Sequence, residues 1–301
     1  MLYEAIINRD SGSGIFRDVE QQNRLKSIFS ERGHKLDLKV VSPDSLNEAL
    51  ENAAKSECRV LLVGGGDGTI TSAAKLLRGT GKALGILPLG TFNLEARDLQ
   101  IALDPFEAAG QLMDSDIVDI DLMEVNDECC LCATVIGFYP ALAKSRVDFH
   151  GKSWWKKALR IVREIATVAV NSPPLDLEIT SEHANIELRT RLAAFAPGHY
   201  QESIGIIPVR DSLSSGELSA YVSKHLTRTQ MLSAAVGYLS GNLLDTEDMI
   251  RIETTELTVN VKRKRSIPAM IDGEIVSINM PCRMRILPKA LKVLRPREPK
   301  T

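Results

Sequence analysis

Over roughly the first 120 residues, short runs of consecutive apolar residues alternate with segments whose apolar positions recur at helical spacing. Residues 2–8, 36–41, 59–63 and 83–87 have the length and composition of buried strands. Residues 19–32 have helical spacing and stop at Gly33, a residue suited to a C-cap. Ser42-Pro43 opens a second helix, with Ser as N-cap and Pro at the first position. A third helix runs to about Leu77. Strands alternating with helices at this pace predict βαβ units and a parallel sheet. Three loops rich in Gly, Ser and Thr follow these strands: Arg9-Asp10-Ser11-Gly12-Ser13-Gly14, Gly64-Gly65-Gly66-Asp67-Gly68-Thr69 and Pro88-Leu89-Gly90-Thr91-Phe92-Asn93. Ligands of such sheets sit beyond the carboxyl ends of the strands, so the three loops are expected on one edge.

The pattern changes near residue 120. Segments 175–180, 186–192, 217–223, 250–261 and 283–287 alternate apolar with polar at period two, the mark of antiparallel strands with one wet face. The expected organisation is an α/β domain at 1–122 and a β-rich domain at 123–285. No internal repeat or low-complexity tract interrupts it.

Composition narrows the class. The chain has 301 residues, and 37 Lys+Arg against 39 Asp+Glu leave a net charge of −2, far from the basic balance of a general nucleic-acid binder. No segment approaches the roughly 18–20 apolar residues that span a bilayer. The N-terminus lacks the basic region and cleavage pattern of a signal peptide. Five unevenly placed cysteines, three of them in Cys129-Cys130-Leu131-Cys132, are spaced too tightly for a zinc knuckle and read as reduced thiols. A cytoplasmic protein is expected.

Gly64–Gly66 let the backbone approach an anion closely, and the following helix N-terminus adds a favourable dipole. Asp67 stands apart, because a carboxylate beside a phosphate is repulsive unless it holds a metal, positions a hydroxyl or takes a proton. A helix cap in a tight turn is the plainer alternative. The loop is neither a Walker A motif nor a Gly-x-Gly-x-x-Gly fingerprint. The five histidines have no zincin spacing, and no Gly-x-Ser-x-Gly elbow is present.

The glycine loop, then Pro88–Asn93 with Ala96-Arg97 behind it, then Ile271-Asp272-Gly273-Glu274 near the end together resemble the diacylglycerol kinase catalytic-domain family. The resemblance implies an α/β N-terminal nucleotide-binding domain with a parallel sheet, plus a mostly antiparallel β-sandwich C-terminal domain, with 286–301 returning to the first. It implies an ATP- and Mg²⁺-dependent kinase acting on a hydroxyl of diacylglycerol or a related lipid. Gly64, Gly65, Gly66, Asp67, Gly68 and Thr69 would cradle the ATP phosphates. Asn8, Ser11 and Gly12 would line the nucleotide from the first loop, and Gly90, Thr91 and Asn93 from the third. Asp272 would be the general base, with Glu274 nearby. Asp119 would join Asp67 as a metal ligand and, with Arg97, face the substrate. On its own, Asp272-Gly273 is equally the turn of a β-hairpin. Turnover is expected to fall in Asp272→Asn and Asp67→Ala with the fold intact, neither position looking like core.

Three departures from the family pattern stand out. Arg9 occupies a usual Pro position, Leu94-Glu95 replaces Asp-Phe, and Ser215-Gly216 replaces the Asp-Gly of a second, structural Mg²⁺ site, so that metal is not expected. A lipid kinase must also reach a bilayer. From Lys144 to Arg163 there are seven Lys/Arg against one acid, with Trp154-Trp155 inside, which suits a peripheral anchor at the inner membrane surface. An amphipathic helix covering the β domain fits equally. Lys262-Arg263-Lys264-Arg265 reads as a solvated strand end. A homodimer is allowed. Two other classes stay open: a kinase of a soluble substrate like the NAD kinases, given Asn126-Asp127, and a nucleotide- or lipid-binding protein without catalysis.

Overall fold

The computed structural model describes residues 2–91, 93–138, 172–200, 210–224, 227, 230 and 249–297. The chain divides into two compact units, Met1–Leu122 with Pro288–Thr301, and Met123–Leu287. The basic segment 144–163 lies outside the described residues.

The first unit runs β1 (Leu2–Asn8), a 3-10 turn (Gly12–Arg17), α1 (Val19–Ser30), β2 (Lys35–Val41), α2 (Pro43–Lys55), β3 (Val60–Gly65), α3 (Asp67–Leu77), β4 (Ala83–Pro88), α4 (Leu94–Asp98) and α5 (Pro105–Met113), and β5 (Ser115–Val125) leads out of it. Strand order is β2-β1-β3-β4, and every pair is parallel. β3 and β4 are buried throughout, which is why they read as unbroken apolar runs rather than alternating ones. Helix α3 buries Ile70, Ala73, Ala74 and Leu77, one stripe at spacing three and four. The chain crosses from one side of β1 to the other between β2 and β3, so the order reverses between β1 and β3. That reversal opens a crevice beyond the carboxyl ends of those two strands.

At the other end of β1 lies a buried acid. Glu4 accepts from Lys39 Nζ and from Ser56 Oγ, each at 2.8 Å. Burial pushes this carboxyl up, but the bonds from Lys39 and Ser56 outweigh it and hold it below its ordinary value. A depressed folded value contributes stability above the unfolded pKa and loses it as pH falls through the folded one. Lys39 is half exposed, so its Coulomb share is small. Glu4→Ala should therefore cost about 1–2 kcal/mol at neutral pH, mostly the lost hydrogen bonds. Urea unfolding at stepped pH should show the gap from wild type closing as the solution is acidified below the usual carboxylate range.

The second unit is built of β6 (Glu128–Cys130), β7 (Thr134–Gly137), β8 (Leu175–Ser181), β9 (Asn185–Thr190), β10 (Leu192–Pro197), β11 (Leu218–Ser223), β12 (Met249–Thr254), β13 (Glu256–Val261), β14 (Ser266–Ile271), β15 (Glu274–Asn279) and the first part of β16 (Cys282–Pro296). One sheet has the order β12-β11-β10-β7-β14-β15, antiparallel at every pairing. The other runs β16-β13-β8-β9, also antiparallel. Their apolar residues form one core, including Ile136, Phe195, Ala220, Val259, Ala269 and Met284. An α/β domain with a parallel sheet followed by a β-rich domain is thus the organisation expected from the pattern, and the antiparallel β-sandwich is what the family resemblance implied. The last part of β16 belongs to the first unit, where Lys292 and Val293 pair in parallel with Ala83 and Leu84 of β4.

Local details differ from expectation. The stretch 250–261 breaks at Thr255 into two strands, β12 and β13, that join different sheets. Ser42 starts α2, but its hydroxyl bonds Ser45 Oγ and makes no capping bond. All five cysteines are free thiols, four of them buried. No helix among the described residues is long and apolar enough to cross a membrane. Lys262 is held by Glu187 at 2.6 Å and Glu178 at 3.2 Å, as suits a solvated strand end.

Candidate functional site

In the first unit the three loops meet at the carboxyl edge of the sheet. Asn8, the last residue of β1, reaches Thr69 of α3 through Nδ2–Oγ1 at 3.5 Å, and its own Oδ1 accepts the N–H of Asp10 at 3.1 Å. Leu89 donates its N–H to the Gly65 carbonyl at 3.0 Å. Asn93 folds its side chain back onto the third loop, accepting from Gly90 N–H at 2.7 Å and donating to the Gly90 carbonyl at 3.0 Å. This clasp fits a left-handed Asn93 at φ 51°, a conformation Asn tolerates better than most residues.

The glycines are needed for space. A Cβ on Gly90 would lie 2.9 Å from the Gly66 Cα, and one on Gly65 would lie 2.4 Å from the Thr69 Cβ. Bare backbone on facing loops is what lets N–H groups approach an anion closely. Gly12, with φ +60°, lies against Leu89, and Ser11 opens the 3-10 turn. Gly68 is in the first turn of α3, and Thr91 is exposed on the third loop.

Asp67 is the first residue of α3. Its Oδ1 accepts the N–H of Leu94 at 2.7 Å and its Oδ2 that of Asn93 at 3.2 Å. The carboxylate therefore ties the second loop to the third and caps the opening of α4. A carboxylate oxygen has two lone pairs, so an oxygen accepting one N–H can also face a hard cation. Beside the first loop, a cavity of about 390 Å³ is lined by Arg9, Asp10, Phe16, Arg17, Gln22 and Val40. Arg17 donates to Asp10 at 2.7 Å, and this bond with that from Arg9 holds the Asp10 carboxyl below its ordinary value.

Asp272 belongs to the second unit, at the tip of the β14–β15 hairpin, with φ 48° followed by Gly273 at φ +88°. The turn reading of Asp272-Gly273 is therefore met in full. The side chain, however, turns inward and is only 2% exposed. Oδ2 accepts the N–H of Leu131 at 2.7 Å, and Oδ1 accepts those of Cys132 at 2.7 Å and Ala133 at 3.1 Å. Cys130 Sγ adds a contact of 3.3 Å to Oδ1. Burial pushes the carboxyl up, and the three N–H groups and the thiol offset that only in part. The expectation that Asp272 lies outside the core is corrected here.

Residues 3–125 match the family model described as the diacylglycerol kinase catalytic domain, and residues 140–295 match that of the YegS C-terminal NAD kinase beta sandwich-like domain. The chain belongs to the diacylglycerol kinase catalytic-domain family. It is similar to "Probable lipid kinase YegS-like" of Pseudomonas aeruginosa, 41% identical over 111 residues that cover 36% of each chain. It is also similar to "Diacylglycerol kinase" of Mycobacterium tuberculosis, 28% identical over 79% of this chain and 77% of that one. A solved diacylglycerol kinase of Bacillus anthracis superposes with a TM-score of 0.70 at 18% identity, covering 97% of this chain and 96% of the other, which speaks for the fold alone.

Of the acids expected at the site of this kinase, Asp119 has a partner away from the glycine loops. Asp119 is partly exposed and pairs with Lys292 at 2.7 Å. Lys292 stands opposite Ala83, at the start of β4, whereas Gly90 follows its end, roughly 16 Å away along the strand. Among the described residues Asp119 is bonded to Lys292 and not to Asp67 or the glycine loops. The buried acid of β5 is Asp121, which accepts the Lys289 N–H at 2.7 Å and which the pattern alone did not single out. Apolar neighbours on both sides do not separate it from Asp119, which has them as well. Glu274 is exposed at the start of β15, and Arg97 is half buried in the last turn of α4. At the departures from the family pattern, Leu94 contributes its backbone N–H to Asp67, Glu95 is buried, and Ser215 accepts the Glu217 N–H at 3.4 Å.

Proposed function

We propose that this kinase transfers the γ-phosphoryl group of ATP, with Mg²⁺, to a hydroxyl of diacylglycerol or a related lipid. The observation that carries the reading is the meeting of three backbone-rich loops around Asp67 at one sheet edge. Phosphoryl transfer is chiefly positioning and charge neutralisation, and converging N–H groups with an acidic anchor are what it requires. Gly64–Thr69 and Gly90–Asn93 would hold the phosphates, and Asn8, Ser11 and Gly12 would flank the nucleotide. The bare Gly66–Gly90 approach and the oxygen donors of Asp67 suit Mg²⁺-ATP, with Asp67 the residue to hold the ion. Bound there, Mg²⁺ would neutralise phosphate charge. Asp272 would take the proton of the lipid hydroxyl. Its raised pKa is the direction a base working near neutral pH needs, and Glu274 and Arg97 would stand toward the acceptor. The basic segment with Trp154-Trp155 would bring the enzyme to an anionic bilayer surface as a peripheral protein.

Purified protein incubated with labelled ATP, Mg²⁺ and a total lipid extract should place label in the organic phase. Mass spectrometry of the labelled product would then name the acceptor. Label appearing instead on a nucleotide in the aqueous phase would favour the NAD kinase-like reading, to which the NAD kinase-like character of the matched second domain lends support. Nucleotide binding without any transfer would leave a binding protein.

A further inference from the structure

The Asp272 carboxylate is gripped by one short stretch of chain, residues 130–133, which joins β6 to β7. Three of the contacts made there are backbone N–H groups, available whatever the side chains are. Another is a side chain's own: Cys130 Sγ lies 3.3 Å from Oδ1, and both residues are buried. Since a carboxylate accepts, the thiol donates. Burial, with the Asp272 charge beside it, holds the Cys130 thiol protonated far above its ordinary range, so the donor stays in place at any working pH. Behind it, Thr134 Oγ1 donates to Cys130 Sγ at 3.5 Å, and Thr134 is wholly buried. A hydroxyl, a thiol and a carboxylate thus stand in line inside the second unit, and the order of donation runs toward Asp272.

We infer that Cys130 is a positioning residue for the base: its thiol, oriented by the Thr134 hydroxyl, fixes Oδ1 and favours the ionised form that can accept the proton of the substrate. This rests on Asp272 acting as the base. A thiol is a weak donor in water, but opposite a buried charge the bond matters more than it would on the surface.

The test is the pH dependence of kcat/KM on vesicles of anionic phospholipid containing diacylglycerol, for wild type, Cys130→Ala, Cys130→Ser, Thr134→Val and Asp272→Asn. Removing a donor from a carboxylate raises its pKa, so the acid limb in Cys130→Ala should move to higher pH by about one unit. Below the limb that is roughly a tenfold loss of rate, with the alkaline plateau and the KM for ATP little changed. Cys130→Ser, a stronger donor, should keep the limb at or below the wild-type position, and Thr134→Val should shift it upward by less than Cys130→Ala does. General loosening of the core would lower the rate at every pH without moving the limb. Should Cys130→Ala not fold, the Ser and Val variants carry the same opposed signs. Limbs that coincide in all three variants, with Asp272→Asn inactive, overturn the inference alone. Wild-type turnover in Asp272→Asn, or no transfer by the wild type, overturns the reading of the base and the inference with it.

Discussion

Asp272→Asn is expected to lower kcat by roughly 10²-fold or more, the scale of a missing general base. The amide is nearly isosteric with the carboxyl but has no basic oxygen comparable to the ionised group. Its effect on stability should be small beside that, for two opposed reasons. The buried charge disappears, which removes the desolvation that pushes this carboxyl up. Against that, an amide NH₂ must replace one oxygen and face a backbone N–H, either that of Leu131 or those of Cys132 and Ala133. Leaving such a donor without its acceptor costs about 1–3 kcal/mol. The net loss should stay within about 2 kcal/mol. Steady-state turnover and urea midpoints on the same preparation check the divergence. A loss of rate that tracks the loss of folded protein would assign Asp272 to structure. Asp272→Ala is the poorer variant, since it strips the acceptor from three N–H groups at once.

Asp67→Ala is expected to reduce kcat/KM for ATP by roughly 10²-fold, with both kcat and KM affected. Two losses combine. The N–H groups of Asn93 and Leu94 lose the carboxylate that joins the second loop to the third, so the Gly90–Asn93 clasp is no longer anchored to α3. The negative charge proposed to hold Mg²⁺ would go as well. Asp67→Asn separates them, because its carbonyl oxygen can still accept one of the two N–H groups. Kinetics at varied Mg²⁺ should show Asn recovering part of the ATP affinity while turnover stays low. Full recovery of turnover in Asp67→Asn would assign the residue to loop geometry alone.

What the sequence made legible was local. Consecutive glycines directly after a buried strand announce themselves within six residues, and the three loops fall on one edge because parallel strands all point the same way. The period-two alternation of 175–180 likewise depends on that strand's own faces, whereas 217–223, read as having one wet face, is buried at every position of β11 because the sheet's second face is covered too. What escaped depended on distant partners. Asp272 and its donors are separated by about 140 residues, and nothing near Asp272-Gly273 tells whether the side chain turns inward. Asp119 and Asp121 sit on one strand with similar neighbours, and only the bond from Lys289, 168 residues on, distinguishes the buried acid. The break at Thr255 was legible as a change of phase, since apolar positions fall at 250 and 252 before it and at 257, 259 and 261 after it, although nothing local says that β12 and β13 join different sheets.

Strand β16 has a consequence for biosynthesis. The first unit is made of residues up to Leu122 and again from Pro288, with 165 residues between. While those are translated, the nascent unit lacks the strand that pairs with β4, and β4 is apolar along most of its length. At about 5–20 residues per second the exposed strand edge persists for roughly ten to thirty seconds on the ribosome. An open apolar edge of that kind invites pairing with another chain. Shielding by chaperones during that interval, rather than the stability of the finished protein, would then set the yield of folded enzyme, and slowing translation after residue 122 should lower it.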